Sequence, residues 1–242
     1  MRAVPTLAAI ARDLRRELAD CTLGPPVAHV YRPLEYAWAP HREFLERWGG
    51  GPKPVVLVGM NPGPWGMAQT GIPFGSLPIV GAWLGLEHRE VGRPRSEHPR
   101  RPVEGFACRR QEVSGARLWG WARDRWKTPE RFFAAMWVAN YCPLLFLDRA
   151  GRNLAPDKLR AAELDRVTAP CDRALRRTVE TLEARWVIGI GAWAETRIRA
   201  ACSDRPVTIG RILHPSPASP LANRGWAERA TSALRELGIA VP

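Results

Sequence analysis

The chain has 242 residues, 45% of them apolar, enough to close one substantial core, so a single domain over residues 1–242 is expected. Its 36 Lys and Arg outweigh 24 Asp and Glu, giving a net charge of +12 that fits either an Arg-rich soluble protein or one with a polyanionic partner such as nucleic acid. No apolar run is long enough for a membrane-spanning helix, and five scattered cysteines without a C-x-x-C pair exclude a zinc ribbon or a disulfide framework.

Buried free thiols are therefore expected, with no metal and no cofactor. The N-terminus carries Arg but no signal-like apolar core, and Asp13, Glu17 and Asp20 speak against a transit peptide. The expectation is a soluble cytoplasmic protein.

In chain order, residues 5–20 place Leu7, Ile10, Leu14 and Leu18 at helical spacing. A turn at Gly24-Pro25-Pro26 follows, then a helix over 40–48 that stops at Gly49-Gly50-Gly51. Residues 54–59 are apolar and β-branched, a buried strand, and they run into a loop dense in Gly and Pro. A short helix is predicted over 79–86. Residues 87–115 are polar and Arg-rich, reading either as a solvated excursion or as a surface for phosphates. Helices over 115–126 and 129–135 precede a second strand, 136–140, which continues through 141–146 as a rigid loop. Residues 151–153 form a turn. A helix over 157–184 carries Val167, Cys171, Leu175, Val179 and Leu182 on one stripe, and Pro170 should kink or divide it. Strands at 186–190 and 207–213 enclose a helix at 192–201, and a last helix spans 224–237.

Short apolar strands separated by helices predict an α/β fold: three layers with a central four-stranded parallel sheet between helices. Such sheets bind ligands beyond the carboxyl ends of their strands. Three of those ends carry Asn61, Asn140 and His214. Asn61 is too weak a base to abstract a proton, but it can hold a water. His214 can stabilise an anionic leaving group. Asn140 presents a carbonyl beside an NH₂, which suits reading the edge of a base. Phe74, on a stiff loop, can stack beneath a planar ring. Taken singly, each has an ordinary explanation: an Asn after a strand is commonly a turn former, a His beside Pro a surface residue, a Phe a core residue. Cys142 could pair with His214 as a nucleophile, but it lies in an apolar run. The Gly/Pro loop lacks P-loop spacing. The set as a whole suits a nucleobase flipped out of its stack.

The stretch Gly59-Met60-Asn61-Pro62-Gly63-Pro64-Trp65-Gly66-Met67-Ala68-Gln69-Thr70-Gly71-Ile72-Pro73-Phe74-Gly75 closely resembles the first motif of the single-strand-selective monofunctional uracil-DNA glycosylases. Asn140-Tyr141-Cys142-Pro143-Leu144-Leu145-Phe146-Leu147, followed by Gly151-Arg152-Asn153-Leu154, resembles the family's middle block. His214-Pro215-Ser216-Pro217-Ala218-Ser219-Pro220-Leu221-Ala222-Asn223-Arg224-Gly225-Trp226 resembles its closing block.

The resemblance implies the uracil-DNA glycosylase fold and hydrolysis of the N-glycosidic bond without lyase action. It implies that Asn61 places the attacking water and that His214 stabilises the departing uracil anion near O2. It further implies that Asn140 reads N3–H and O4, and that Phe74 stacks on the flipped ring. Met60 and Gly63 would border the C5 substituent, which extends the expected substrates to 5-hydroxymethyluracil and, in a roomy pocket, to xanthine. Residues 216–224, with Ser216, Pro217, Ala218, Ser219, Pro220, Asn223 and Arg224 facing DNA, are placed to wedge into a duplex. The expected partner is uracil-containing DNA, single- or double-stranded, met by a monomer acting at a bacterial nucleoid.

Two positions depart from the family's pattern. Ala218 stands where a larger basic residue is often found, leaving open which side chain plugs the gap, and Trp65 replaces a Phe. Three other readings compete: a mismatch-specific uracil or thymine glycosylase, a non-catalytic nucleic-acid-binding protein, and an α/β hydrolase, which the lack of a G-x-S-x-G elbow disfavours.

Overall fold

The computed structural model describes residues 4–86 and 89–242; residues 87 and 88, at the start of the Arg-rich stretch, lie outside the described residues. Helix α1 (Leu7–Glu17) opens at Thr6, whose hydroxyl accepts a hydrogen bond from the Ala9 amide at 3.2 Å. It buries Leu7, Ile10 and Leu14 on one stripe. Strand β1 (His29–Tyr31) and the single turn α2 (Pro33–Tyr36) lead into α3 (Trp38–Trp48). Strand β2 (Val55–Gly59) is buried along its whole length, as a central strand covered on both faces must be.

Two short helices follow, α4 (Met67–Thr70) and α5 (Leu77–Ala82). After the Arg-rich stretch, α6 (Val113–Trp126) and α7 (Pro129–Ala135) lead into β3 (Met136–Asn140). Strands β4 (Leu145–Leu147) and β5 (Asn153–Leu154) then precede the long helix α8 (Ala161–Thr181). The chain closes with β6 (Trp186–Ile190), α9 (Ala192–Cys202), β7 (Thr208–Ile212), the turn α10 (Pro220–Asn223) and α11 (Trp226–Glu236).

The main sheet is four-stranded and parallel throughout, in the order β3-β2-β6-β7. Helices flank it in two groups: α1 packs on α8 and α8 on α9, while α6 packs on α7 and α11. From β2 the chain goes to one side for β3 and returns to the other side for β6. The reversal leaves a crevice at the carboxyl ends of β2 and β6, where open α/β sheets take their ligands. The register sets Gly59 directly beside Asn140.

Three features differ from the sequence expectation. Residues 145–147 are not loop but the middle strand of a second, antiparallel sheet ordered β1-β4-β5. All three of its residues are buried, so no alternation marks them as a strand. Asn153 leaves the predicted turn to open β5. Pro170 does not divide α8: it removes the bond to the Arg166 carbonyl, yet Val167, Cys171, Leu175 and Val179 stay buried on one stripe and carry the helix through.

Six of the eleven tryptophans, Trp48, Trp119, Trp121, Trp126, Trp137 and Trp226, are buried. They join Phe44, Phe132 and Phe133 in a continuous aromatic core; Phe44 stacks on Trp137 at 4.8 Å and Trp48 on Phe133 at 5.1 Å.

Behind the Gly/Pro loop, His41 is buried with its Nδ1–H donated to the Gly71 carbonyl at 2.7 Å. Burial pushes its pKa down to about 4. A depressed histidine contributes stability that is present above its unfolded value and lost as pH falls toward the folded one. Charging it in the fold costs about 3 kcal/mol more than in the unfolded chain. Between pH 7 and pH 4.5, urea unfolding should show the wild type losing more stability than His41→Gln, which cannot titrate. Equal losses in the two proteins would contradict this.

Candidate active site

The crevice is built on two close approaches that only glycine permits. A methyl group at Gly59 would stand 2.5 Å from the Phe74 ring and 2.7 Å from Asn140 Oδ1. One at Gly115, in the first turn of α6, would stand 2.0 Å from the Phe74 carbonyl oxygen. With neither present, the Phe74 ring and the Asn140 amide meet over the end of β2. Phe74 itself is held at φ 56°, in the left-handed region that bulky residues avoid. Trp119 helps hold it there by donating its indole N–H to the Pro73 carbonyl at 3.0 Å.

Asn140 ends β3. Its amide nitrogen donates to Met67 Sδ at 3.2 Å, and its Oδ1 is buried without a hydrogen-bond partner among the described residues. An orphaned acceptor in a folded interior costs free energy unless a donor arrives. Next to it, the Tyr141 amide bonds the Gly59 carbonyl at 2.8 Å and the Cys142 amide the Met60 carbonyl at 2.9 Å, so pairing between the two strand ends runs on past the strands. Behind Asn140, the Tyr141 hydroxyl donates to Asp172 at 2.6 Å and accepts from Arg197 at 3.2 Å.

Asn61 lies two residues past Gly59. Its amide nitrogen donates to the Leu144 carbonyl at 3.3 Å, which leaves Oδ1 as its remaining acceptor. His214 follows β7 and packs against Gly191 at the end of β6; a methyl group at Gly191 would lie 3.3 Å from its Cβ. Its ring centroid is 6.3 Å from that of Phe74. Neither ring nitrogen of His214 is hydrogen-bonded among the described residues, and burial lowers its pKa, so the imidazole is neutral at pH 7. Trp226 fixes the preceding residue by donating its indole N–H to the Leu213 carbonyl at 2.6 Å.

Met60, Asn61, Phe74, Asn140 and His214 thus gather at the carboxyl edge of the sheet. Gly63 lies in the same loop, but its open side faces Glu112: a methyl group there would be 2.2 Å from the carboxylate. Glu112 accepts a hydrogen bond from the Trp65 amide at 3.4 Å, and burial raises its pKa. Sequence reading passed over Glu112 because it sits among polar residues just before α6. A mostly apolar cavity reaches Asn140 from between α1, α3 and α8, but none of Asn61, Phe74 or His214 lines it, and it belongs to the packing of that layer. Cys142 is buried with its thiol toward the Leu144 carbonyl. No group of acidic, His and Cys side chains among the described residues is arranged to hold a metal.

The closing segment forms a separate projection tied to α6. Arg117 donates to the Pro215 and Ser216 carbonyls at 3.2 and 3.3 Å and to Asn223 Oδ1 at 2.8 Å. Asn223 in turn donates to the Pro217 carbonyl at 3.0 Å. The Ser216 hydroxyl accepts from the Ala218 amide, and the Ser219 hydroxyl caps α10. Pro217, Ala218, Pro220 and Arg224 are exposed. So is Leu221, with 51% of its surface open, a residue absent from the expected DNA-facing set. The signal that could have found it is a lone large apolar residue among Ser, Pro and Asn.

No family model matches the chain. It is 46% identical over 228 residues to the single-strand selective monofunctional uracil-DNA glycosylase of Rattus norvegicus, covering 93% of this chain and 82% of that protein. The proteins of the same name from Bos taurus and Mus musculus are 47% and 46% identical over 228 residues, with 84% and 81% of their lengths covered and 93% of this chain in both cases. Among solved structures, that of wild-type Pedobacter heparinus SMUG2 superimposes with a TM-score of 0.66 at 16% identity, over 96% of this chain and 99% of that one, a likeness of fold. At this identity over nearly all of its length, the chain belongs to the single-strand selective monofunctional uracil-DNA glycosylase family.

Proposed function

We propose that this crevice hydrolyses the N-glycosidic bond of uracil in DNA, with the base flipped out of its strand. The observation that carries the reading is the buried, unpartnered Oδ1 of Asn140 beside the Phe74 ring. Uracil offers the matching donor at N3–H, and O4 next to it takes the Asn140 NH₂ once that group turns from the Met67 sulfur. Cytosine has an acceptor at N3 and a donor at N4, so it would meet the amide with like groups opposed and leave buried polar atoms unpaired.

In the reaction, the C1′–N1 bond breaks and its electron pair leaves with the base, giving an anion whose charge spreads to O2 and O4. The neutral His214 ring donates N–H toward O2. Water held by Asn61 Oδ1 adds to C1′ and gives up a proton to solvent, and the uracil anion takes up a proton from solvent as it departs. The dry surroundings strengthen the stabilisation of the anion. Met60 and Gly63 border the C5 edge in this reading, and 5-hydroxymethyluracil and xanthine are the substrates to test beside uracil.

The projection at 215–224 serves as the element that enters a duplex. Because Ala218 is small, the exposed Leu221 is the apolar side chain able to fill the space the base leaves, on a segment that Arg117 holds in place.

Single-turnover release of uracil should fall by roughly 10²–10³-fold in His214→Ala, the usual cost of losing one anion-stabilising donor, and comparably in Asn61→Ala, with oligonucleotide binding retained. Either variant at wild-type rate would end its assignment. Because the His214 pKa is lowered, the wild-type rate should stay flat from pH 7 to pH 8.5. A rate that fell as pH rose through the ordinary histidine range would show that imidazolium is the working form instead. Leu221→Ala and Arg117→Ala should lower the rate on duplex substrate by about tenfold while sparing single strands, since only the duplex requires unstacking. Equal losses on both substrates would remove the wedge role.

A further inference from the structure

The arginines of the stretch after α5 fall into two groups. Arg89, Arg93 and Arg95 are neutralised by Glu43, Glu97 and Glu35 respectively. Arg100, Arg101, Arg109 and Arg110 form no ion pair with a described carboxylate. Two of them pack on Trp65, four residues past Asn61: the Arg110 guanidinium is 4.4 Å and that of Arg101 is 5.3 Å from the ring centroid. Arg109 and Arg110 are exposed.

This arrangement is built into the fold. Gln69, fully buried in α4, donates to the Pro64 and Pro102 carbonyls at 2.9 and 3.0 Å and accepts from the Glu104 amide at 2.8 Å. It therefore staples the arginine-bearing segment to the loop that carries Asn61. Arg101 also donates to the Gly151 carbonyl at 2.8 Å, and its own carbonyl accepts from the Tyr31 hydroxyl at 2.7 Å. Neither nearby carboxylate forms an ion pair with these arginines: Glu112 lies against Gly63 and accepts from the Trp65 amide, and Glu104 lies toward Cys108.

We infer that Arg101 and Arg110, oriented by Trp65, together with the exposed Arg109 next to Arg110 in the chain, form a phosphate-binding site for the backbone of the substrate strand beside the flipped nucleotide. A guanidinium lying on an aromatic face is held in one orientation, so little side-chain freedom remains to be lost when it meets a phosphate. Its charge is uncompensated, so a phosphate displaces condensed counterions without breaking an ion pair in the protein. The site rests on the glycosylase reading only in taking DNA as the polyanion.

The test measures the affinity of the full chain for a labelled, uracil-free single-stranded oligonucleotide by anisotropy across a series of NaCl concentrations. Two double variants are compared, and each removes two positive charges: Arg109→Gln with Arg110→Gln, and Arg93→Gln with Arg95→Gln. Each phosphate contact contributes about 0.7 to the slope of log affinity against log salt on single strands. The first variant should flatten that slope by about 1.4 and weaken binding by roughly 25-fold at ~0.1 M NaCl. The second, whose arginines are already neutralised, should leave the slope near wild type. Single-turnover uracil release at saturating enzyme should be unchanged in the second variant, whose arginines lie outside the proposed site. An unchanged slope in the first variant, or equal flattening in the two, overturns the site. If the glycosylase reading were wrong, the wild type would release no uracil, while the binding measurements would still decide the phosphate site.

Discussion

The crevice depends on the missing side chain at Gly59. In the parallel register, β2 and β3 end side by side, and any Cβ on β2 at this level would strike both the Phe74 ring and the Asn140 amide. Moving either away would uncouple an aromatic floor from a hydrogen-bonding edge, and a planar heterocycle needs both at once. The exclusion is steric rather than energetic in the ordinary sense: at 2.5 Å something must shift, and the sheet on one side and α6 on the other leave no room.

Phe74 and His214 come from opposite ends of the sequence, and buried tryptophans bring them together. Trp119 bonds the carbonyl before Phe74, and Trp226 bonds the carbonyl before His214. Each indole fills core volume and also satisfies a backbone acceptor that would otherwise be stranded. Trp121 links the helices that carry them, packing against Trp226 at 6.0 Å and donating to Thr231 in α11 at 3.0 Å. Helix α6 thus touches the pocket floor through Gly115 and Trp119, and the closing projection through Arg117. Pocket and projection therefore share one support, helix α6.

The parallel sheet was legible in the sequence because β2, β3 and β6 are short, mainly apolar runs, and the edge strand β7 keeps Ile209 and Ile212 around Gly210 and Arg211. The second sheet was not: β4 is three residues long and wholly buried, and β5 has only two residues, so period-2 patterning has nothing to act on. Asn61, Asn140 and His214 could be found because they terminate strands. Glu112, Arg117 and Trp65 with its two arginines could not be read as a set, because their contacts span 36 to 106 residues of sequence and carry no local pattern. Ala218 marked where the family's pattern fails, but only exposure in the folded chain brought Leu221 forward.

At neutral pH the groups that meet the base in the proposed reaction carry no formal charge: two amides, a phenyl ring and an imidazole whose burial keeps it unprotonated. Glu112, the carboxyl group close behind the loop, is pushed by burial toward its neutral form. The net charge of +12 is carried outside the crevice. A fixed cation in the pocket would incur its desolvation cost at all times and would hold the neutral base and the anion with less difference between them. A neutral donor responds mainly to charge that develops as the bond breaks, so its effect falls on the transition state. The arginines at the rim act on a different quantity, the encounter with a polyanion, where permanent charge is what is needed.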